Sequence, residues 1–185
     1  MRSDIERWNR KYGEHPPPAS IDPDPLLLRH RGLLGKRGLG IDIAGGTGDN
    51  GLYLCRLGYR TVIVDGSEVG LRLCRRKAVH NALDPMLVVA DLDRFTLPKR
   101  RFDAVLVFRY LNRALVGPVL DSLEEDGMLF FKTFNRRHLI KHPGFPQEYL
   151  LRDGELTEWF SGLRCVDTND GASADTTYHW VGHKD

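Results

Sequence analysis

Two acids and a run of glycines are the residues best placed to do chemistry. Asp42 stands near the end of an apolar run, Leu39-Gly-Ile-Asp-Ile43, and is followed by Gly45, Gly46, Gly48 and Gly51. Asp65 closes a second apolar run, Arg60 to Asp65, seventeen residues beyond Gly48. Glycine allows positive φ and lets a ligand approach the backbone where a Cβ would block it. The helical pattern after Gly48 opens with unpaired N–H groups that favour an anionic or polar ligand. A carboxylate at the tip of the second strand can accept hydrogen bonds from both ribose hydroxyls of an adenosine. Alone, the glycines describe an ordinary tight turn and Asp65 a helix cap. Together, each at a strand end, they describe a nucleoside-binding site.

The glycines leave two ligands open. Gly46-Thr-Gly-Asp-Asn-Gly51 fits G-x-G-x-x-G, the phosphate-binding turn of dinucleotide folds. Asp42 argues against that ligand, because a carboxylate beside a pyrophosphate is repulsive. It suits a cationic ligand such as S-adenosylmethionine, which carries an ammonium and a sulfonium.

The pattern of the chain supplies the elements that must position these groups. Ser3 to Tyr12 reads as a helix with a Ser3–Glu6 capping box and a face of Ile5, Trp8 and Tyr12. His15-Pro-Pro-Pro18 ends it as a stiff hinge. Asp24 caps a short helix that begins with Pro25, and the basic stretch His30 to Arg37 reads as a solvated loop. Leu39 to Ile43 and Arg60 to Asp65 are the first two strands, with a helix from Asn50 to Leu57 stopped by Gly58. Ser67 caps a helix to about His80, with Val69, Leu73 and either Lys77 or Val79 inward and Arg72, Arg75 and Arg76 outward. Met86 to Ala90 is a third strand. The eleven residues from Asp91 to Arg101 then leave little room for a full crossover helix. Phe102 to Phe108 is a fourth strand, and Pro118 opens or kinks a helix running to Glu124 or Glu125. Asp126-Gly127 turns into a fifth strand, Met128 to Phe134. Asn135 to Gln147 is a long basic connection, and long loops in compact domains tend to be functional. Glu155 to Phe160 is a short helix, with Leu156 and Phe160 inward. Leu163 to Thr168 and Tyr178 to His183 are joined by a short polar link, which predicts an antiparallel hairpin.

In open α/β sheets ligands bind outside the carboxyl ends of the strands. Arg109, Tyr110 and Arg113 follow the fourth strand at that end and are the candidate catalytic residues, lining an acceptor pocket with Arg136 and His138. His138 and His142 lack supporting acids or thiols, so no metal site is expected.

The stretch Asp42-Ile-Ala-Gly-Gly-Thr-Gly48 resembles the first motif of class I S-adenosylmethionine-dependent methyltransferases, with Ala44 standing where that pattern has glycine. More closely, the chain is similar to the small tellurite-resistance and thiopurine-type methyltransferases. The matching pieces are Trp8 to Tyr12, Asp42 to Asn50, Val64 to Ser67, Ala90 to Leu92, Phe102 to Arg113, Asp126 to Met128 and Tyr149 to Leu156. The resemblance implies a single domain over 1–185, with 1–24 as a lid or cap. It implies an α/β, Rossmann-like, seven-stranded and mostly parallel sheet in the order 3-2-1-4-5-7-6. Strand seven is antiparallel and helices cover both faces. It implies S-adenosylmethionine as cofactor, leaving as S-adenosylhomocysteine, held by Trp8, Tyr12, Asp42, Ala44, Gly45, Gly46, Gly48, Asn50, Asp65, Gly66, Ser67, Asp91, Leu92 and Phe108. In that family an acid at Asp91 meets the adenine amine; from the residues alone, Asp91 serves equally as a cap.

Composition bounds the remaining readings. A chain of 185 residues with 41% hydrophobic and 28% charged content is long enough for one full core. A net charge of +2 argues against a nucleic-acid binder and for a small-molecule acceptor. No run approaches the roughly twenty apolar residues of a membrane span. Cys55, Cys74 and Cys165 have no metal spacing and read as buried free thiols in a reducing cytoplasm. The charged start MRSDIERWNRKY predicts no secretion signal. Oligomeric state is not legible. The competing functions are a nicotinamide-dependent oxidoreductase on a similar fold and a protein that binds S-adenosylmethionine without catalysis.

Overall fold

A computed structural model describes residues 2–35, 37–171 and 174–185, with the side chains of Arg2 and Ser3 outside the described parts. The chain divides into two units, residues 1–96 and 97–185.

In the first unit, helix α1 (Arg2–Glu14) stops just before the proline run and α2 (Pro25–Arg29) follows. The Asp24 side chain accepts from the Leu26 amide, as its position before Pro25 requires. The Ser3–Glu6 capping box rests on a side chain outside the described parts. Strand β1 (Leu39–Ile43) leads into α3 (Asp49–Arg56), β2 (Arg60–Asp65), α4 (Glu68–His80) and β3 (Met86–Val89). These three strands pair in parallel, Ile41 opposite Val62 and Ile63 opposite Leu87. Gly58 has φ +95, the left-handed residue that ends α3. Ser67 Oγ accepts from the Gly70 amide and starts α4. Leu52 of α3 and Leu71, Cys74 and Ala78 of α4 cluster on Ile63 of β2. Between the two inward choices on α4, Lys77 is the buried one. Val79 is 68% exposed, because the helical turn that buries Cys74 and Ala78 carries it outward. The stretch after Leu28 includes a 3-10 turn, Arg31–Leu33, and Lys36 lies outside the described residues.

The second unit is built on β4 (Phe102–Phe108), α5 (Val116–Ser122), β5 (Leu123–Phe134), α6 (Glu155–Phe160), β6 (Arg164–Thr168) and β7 (Thr177–His183). Ala104 to Val107 are buried without a polar interruption, as befits a strand covered on both faces. β4 and β5 are parallel; β7 is antiparallel to both β5 and β6. Leu156 and Phe160 of α6 are fully buried, Phe160 within 5.3 Å of Phe131 and 6.0 Å of Trp180 between ring centroids.

Two boundaries differ from expectation by more than one residue here. α5 ends at Ser122, whose hydroxyl turns back to the Val119 carbonyl, and does not reach Glu124. Strand β5 starts at Leu123, opposite Phe102, instead of at Met128. Asp126-Gly127 is therefore an irregularity inside the strand, with Asp126 at φ +64 and a register shift between Phe102 and Ala104. Cys165 also departs from expectation: it is exposed on β6, while Cys74 is buried and Cys55 half-buried.

Across the chain the strands form one seven-stranded sheet, ordered β3-β2-β1-β4-β5-β7-β6. Only β7 runs against the rest, and the helices lie around the strands. Among the described residues no helix is long and apolar enough to cross a membrane.

Candidate active site

The glycine turn after β1 is the most constrained backbone in the first unit. Ala44, Gly46 and Gly48 have φ of +57, +55 and +84. The Gly48 amide donates to the Gly45 carbonyl at 2.8 Å, closing the turn. A Cβ at Gly48 would run into the Cys74 sulfur beneath, and one at Gly46 into the Tyr12 hydroxyl above. The turn is thus walled by α4 on one side and α1 on the other. Ala44 takes the left-handed conformation that the related pattern assigns to glycine. Burial pushes the Cys74 thiol up to about 12, so it packs as a small apolar group.

The two acids brace this turn. Asp42 is 1% exposed, and its Oδ2 accepts from the Gly51 amide at 2.9 Å, tying β1 to α3. Burial, with smaller contributions from the Asp65 and Asp49 charges, pushes its carboxyl up to about 7 against the Gly51 hydrogen bond. Asp42 therefore sits beneath the turn, braced by the Gly51 amide and without an exposed face. Asp65 Oδ2 accepts from the Gly46 amide at 2.8 Å and Oδ1 from the Ser67 amide at 2.7 Å. Burial raises the Asp65 carboxyl, with these two amides pulling it back. Each oxygen keeps a further lone pair for a ligand hydroxyl.

Helix α1 lies across the same turn. Asn9 Oδ1 accepts from Ser67 Oγ at 2.7 Å and from the Val69 amide at 3.3 Å. Ile5 packs where a Cβ on Gly66 would sit, and the Tyr12 ring packs against Gly70 as its hydroxyl meets Gly46. Trp8 stacks on Tyr12 at 5.4 Å, with Lys11 Nζ 4.3 Å from the Trp8 ring centre. The first unit thus brings Trp8, Tyr12, Gly46, Asp65, Gly66 and Ser67 together. Asn9 was not singled out from sequence, although it lies within the Trp8 to Tyr12 stretch.

Two expected ligand residues are engaged elsewhere. The Asn50 carbonyl oxygen accepts from the Asp24 amide at 2.8 Å, and its neighbour Asp49 holds Lys77 Nζ at 2.7 Å and the Asp22 amide at 3.0 Å. These bonds strap residues 22–24 onto the start of α3. Asp91 is exposed; its Oδ1 accepts from the Asp93 amide at 3.0 Å, the geometry of a turn cap, while Leu92 is buried.

In the second unit, Phe108 ends β4 buried and Arg109 follows with φ +56, its amide donating to the Lys132 carbonyl at 2.7 Å. The Arg109 side chain is exposed and Tyr110 is half-buried. The Arg113 guanidinium is committed within the fold. Nε and Nη2 donate to Glu155 at 2.8 and 3.0 Å, Nη1 to the Glu148 carbonyl at 2.7 Å and Nη2 to the Leu150 carbonyl at 3.0 Å. An arginine so occupied braces the loop that carries it to residues 148–155. Arg137 is likewise held by the Tyr178 hydroxyl at 3.1 Å, and that hydroxyl donates to Asp153 at 2.6 Å. Among the described residues no ion pair or side-chain hydrogen bond engages Arg109 or Arg136. His138 is stacked between Phe134 at 4.1 Å and His142 at 4.4 Å, with the edge of Phe145 at 4.8 Å. Its burial, and to a lesser degree the neighbouring His142, lower its proton affinity. Sequence reasoning also missed Asp170, which caps α6 from sixteen residues away by accepting from the Gly154 amide and from the Thr157 amide and hydroxyl.

This strand order, with a glycine turn closing β1 and an acid closing β2, defines the fold of class I S-adenosylmethionine-dependent methyltransferases. Residues 41–125 match the family described as a methyltransferase domain, and S-adenosylmethionine is the cofactor of that class. No curated protein matches the sequence significantly. Among solved structures, TehB from Haemophilus influenzae superposes with a TM-score of 0.76 at 14% identity, over 98% of this chain and 67% of that one. A protein from work on the conversion of a disulfide bond into a thioacetal group in echinomycin biosynthesis gives 0.70 at 21% identity, over 98% and 93%. An S-adenosylmethionine-dependent methyltransferase from Mesorhizobium loti gives 0.64 at 17% identity, over 89% and 100%.

Proposed function

We propose that the protein transfers the methyl group of S-adenosylmethionine to a small anionic or soft acceptor, such as a chalcogen oxyanion, a thiol or a thiopurine. The observation that carries the cofactor reading is the Asp65 carboxylate. It is fixed by the Gly46 and Ser67 amides beneath Trp8 and Tyr12, with lone pairs left for ribose hydroxyls. The acceptor reading rests on the end of β4. Arg109 presents an exposed guanidinium on a strained backbone, Arg136 offers a second, and Tyr110 gives a wall that sheds water. The similar structure from work on the conversion of a disulfide bond into a thioacetal group supports a soft, sulfur-type acceptor. The three unpaired cysteines fit a reducing compartment.

The reaction is an in-line displacement. A lone pair of the acceptor attacks the methyl carbon, the carbon–sulfur bond breaks, and its electrons stay on sulfur as S-adenosylhomocysteine departs. The leaving group is neutral, so the protein mainly orients two partners and excludes water. An acceptor that is already an anion needs no base.

Incubation with S-adenosylmethionine carrying a labelled methyl group tests the proposal, against selenite, tellurite, small thiols, thiopurines and bulk RNA. Label is expected in a small acceptor. Arg109→Ala should lower turnover about tenfold or more, as loss of a charge-assisted contact does, with cofactor affinity nearly intact. Label in RNA alone would refute the acceptor class, and cofactor binding without any transfer would favour a non-catalytic binder.

A further inference from the structure

Among the described residues of the second unit, Glu155 is the one buried carboxylate that holds two arginines. It is 2% exposed and accepts four hydrogen bonds: from Arg113 Nε and Nη2 at 2.8 and 3.0 Å, and from the Arg152 amide and Nη2 at 2.9 and 3.2 Å. Burial alone would raise its carboxyl, but the hydrogen bonds from Arg113 and Arg152 outweigh that and hold it below its ordinary value. Arg113 also donates to the Glu148 and Leu150 carbonyls, and its guanidinium lies 5.8 Å from the Trp159 ring centre. Next along the chain, the Leu151 amide donates to the Phe134 carbonyl, and Leu151 forms a parallel bridge with Asn135. Residues 148–155 are thereby tied to the end of β5 through Leu151 and to the loop after β4 through Arg113. That loop carries Arg109 and Tyr110.

We propose that Glu155 is a positioning residue for the methyl acceptor, acting through Arg113 to fix the 109–113 loop that presents Arg109. The proposal rests on the acceptor reading above for its catalytic consequence, and on the hydrogen bonds alone for its structural one. A buried carboxylate with four donors and an arginine with every guanidinium nitrogen used form a rigid joint, because loss of either partner strands the other's groups. The Arg109 amide is tied to the Lys132 carbonyl, but among the described residues its exposed guanidinium has no ion pair or hydrogen bond, so its aim depends on the backbone between that anchor and the Arg113–Glu155 joint.

The test uses the full chain and two readouts. In hydrogen exchange without acceptor, Glu155→Gln should speed amide exchange across residues 109–115 by tenfold or more. Exchange across 41–66 should stay within twofold of the parent, and S-adenosylhomocysteine affinity should be unchanged. In methyl transfer to whichever of tellurite, selenite or a small thiol the parent protein methylates, the same variant should raise the acceptor KM at least tenfold. A purely structural role would instead lower stability and leave the KM of the folded fraction untouched. Arg113→Lys keeps the charge while losing the fork, and should reproduce both effects if Glu155→Gln fails to fold. Arg152→Ala removes only an exposed partner and should change loop exchange less than twofold. Unchanged exchange at 109–115 in either folded variant overturns the proposal, whatever the acceptor. Loosened exchange in a parent that methylates none of these compounds would leave the joint standing and bring down the acceptor reading instead.

Discussion

Ala44 holds φ +57, a conformation that costs a side-chain-bearing residue on the order of 1 kcal/mol relative to glycine. Ala44→Gly should therefore stabilise the protein by roughly that amount, less the added freedom of the unfolded chain. A urea titration reads it as a raised midpoint at constant slope; a lowered midpoint would mean that the Ala44 methyl packs productively. Asp42 gives a prediction with a sign. Its folded-state carboxyl titrates near 7, above the ordinary value of 3.8. A raised acid stabilises fully below its unfolded value, and that stability is lost as pH rises through the folded one. The shift corresponds to on the order of 4 kcal/mol, lost chiefly between about pH 4 and pH 7. Asp42→Asn keeps an acceptor for the Gly51 amide and should flatten that slope, measured by urea midpoints across the window. Equal slopes in parent and variant would place the titration elsewhere. The glycine turn and Asp65 were legible because their partners lie within a few residues of each strand end. The pairing of Arg113 was not legible, because its partner Glu155 lies forty-two residues away and only the fold brings them together.

Among the elements, α1 carries the clearest prediction. Its helical face was readable from the spacing of Ile5, Trp8 and Tyr12. Its seat on Gly46, Gly66 and Gly70 was not, since three separate glycines must come together to make room for it. Asn9→Ala removes the acceptor shared by Ser67 Oγ and the Val69 amide, and should loosen α1 from α4 by about 1 kcal/mol. Cofactor affinity should fall about fivefold with circular dichroism unchanged. An unaltered affinity would make α1 a packing helix and not a cover. The β6–β7 hairpin was legible from its short polar link, which leaves no length for a crossover. The start of β5 was not. Asp-Gly ordinarily signals a turn, and the pairing of Leu123 with Phe102 places that dipeptide inside a bulged strand instead.

For the whole molecule, the strand order β3-β2-β1-β4-β5-β7-β6 was legible through the resemblance to class I methyltransferases, while the residues themselves supplied the terminal hairpin and the glycine turn after β1. This is why the fold could be read further than the acceptor. Strands and helices are written in long patterned stretches, whereas acceptor choice rests on a few exposed side chains such as Arg109 and Arg136. The central claim is the cofactor. Calorimetric titration of the purified protein with S-adenosylmethionine, S-adenosylhomocysteine and NAD tests it most directly. The account predicts micromolar-range binding of both adenosyl sulfur compounds, the affinity of roughly 8 kcal/mol that a few charge-assisted hydrogen bonds and a stacked base provide, and no heat with NAD. Tight NAD binding with no response to S-adenosylmethionine would contradict it.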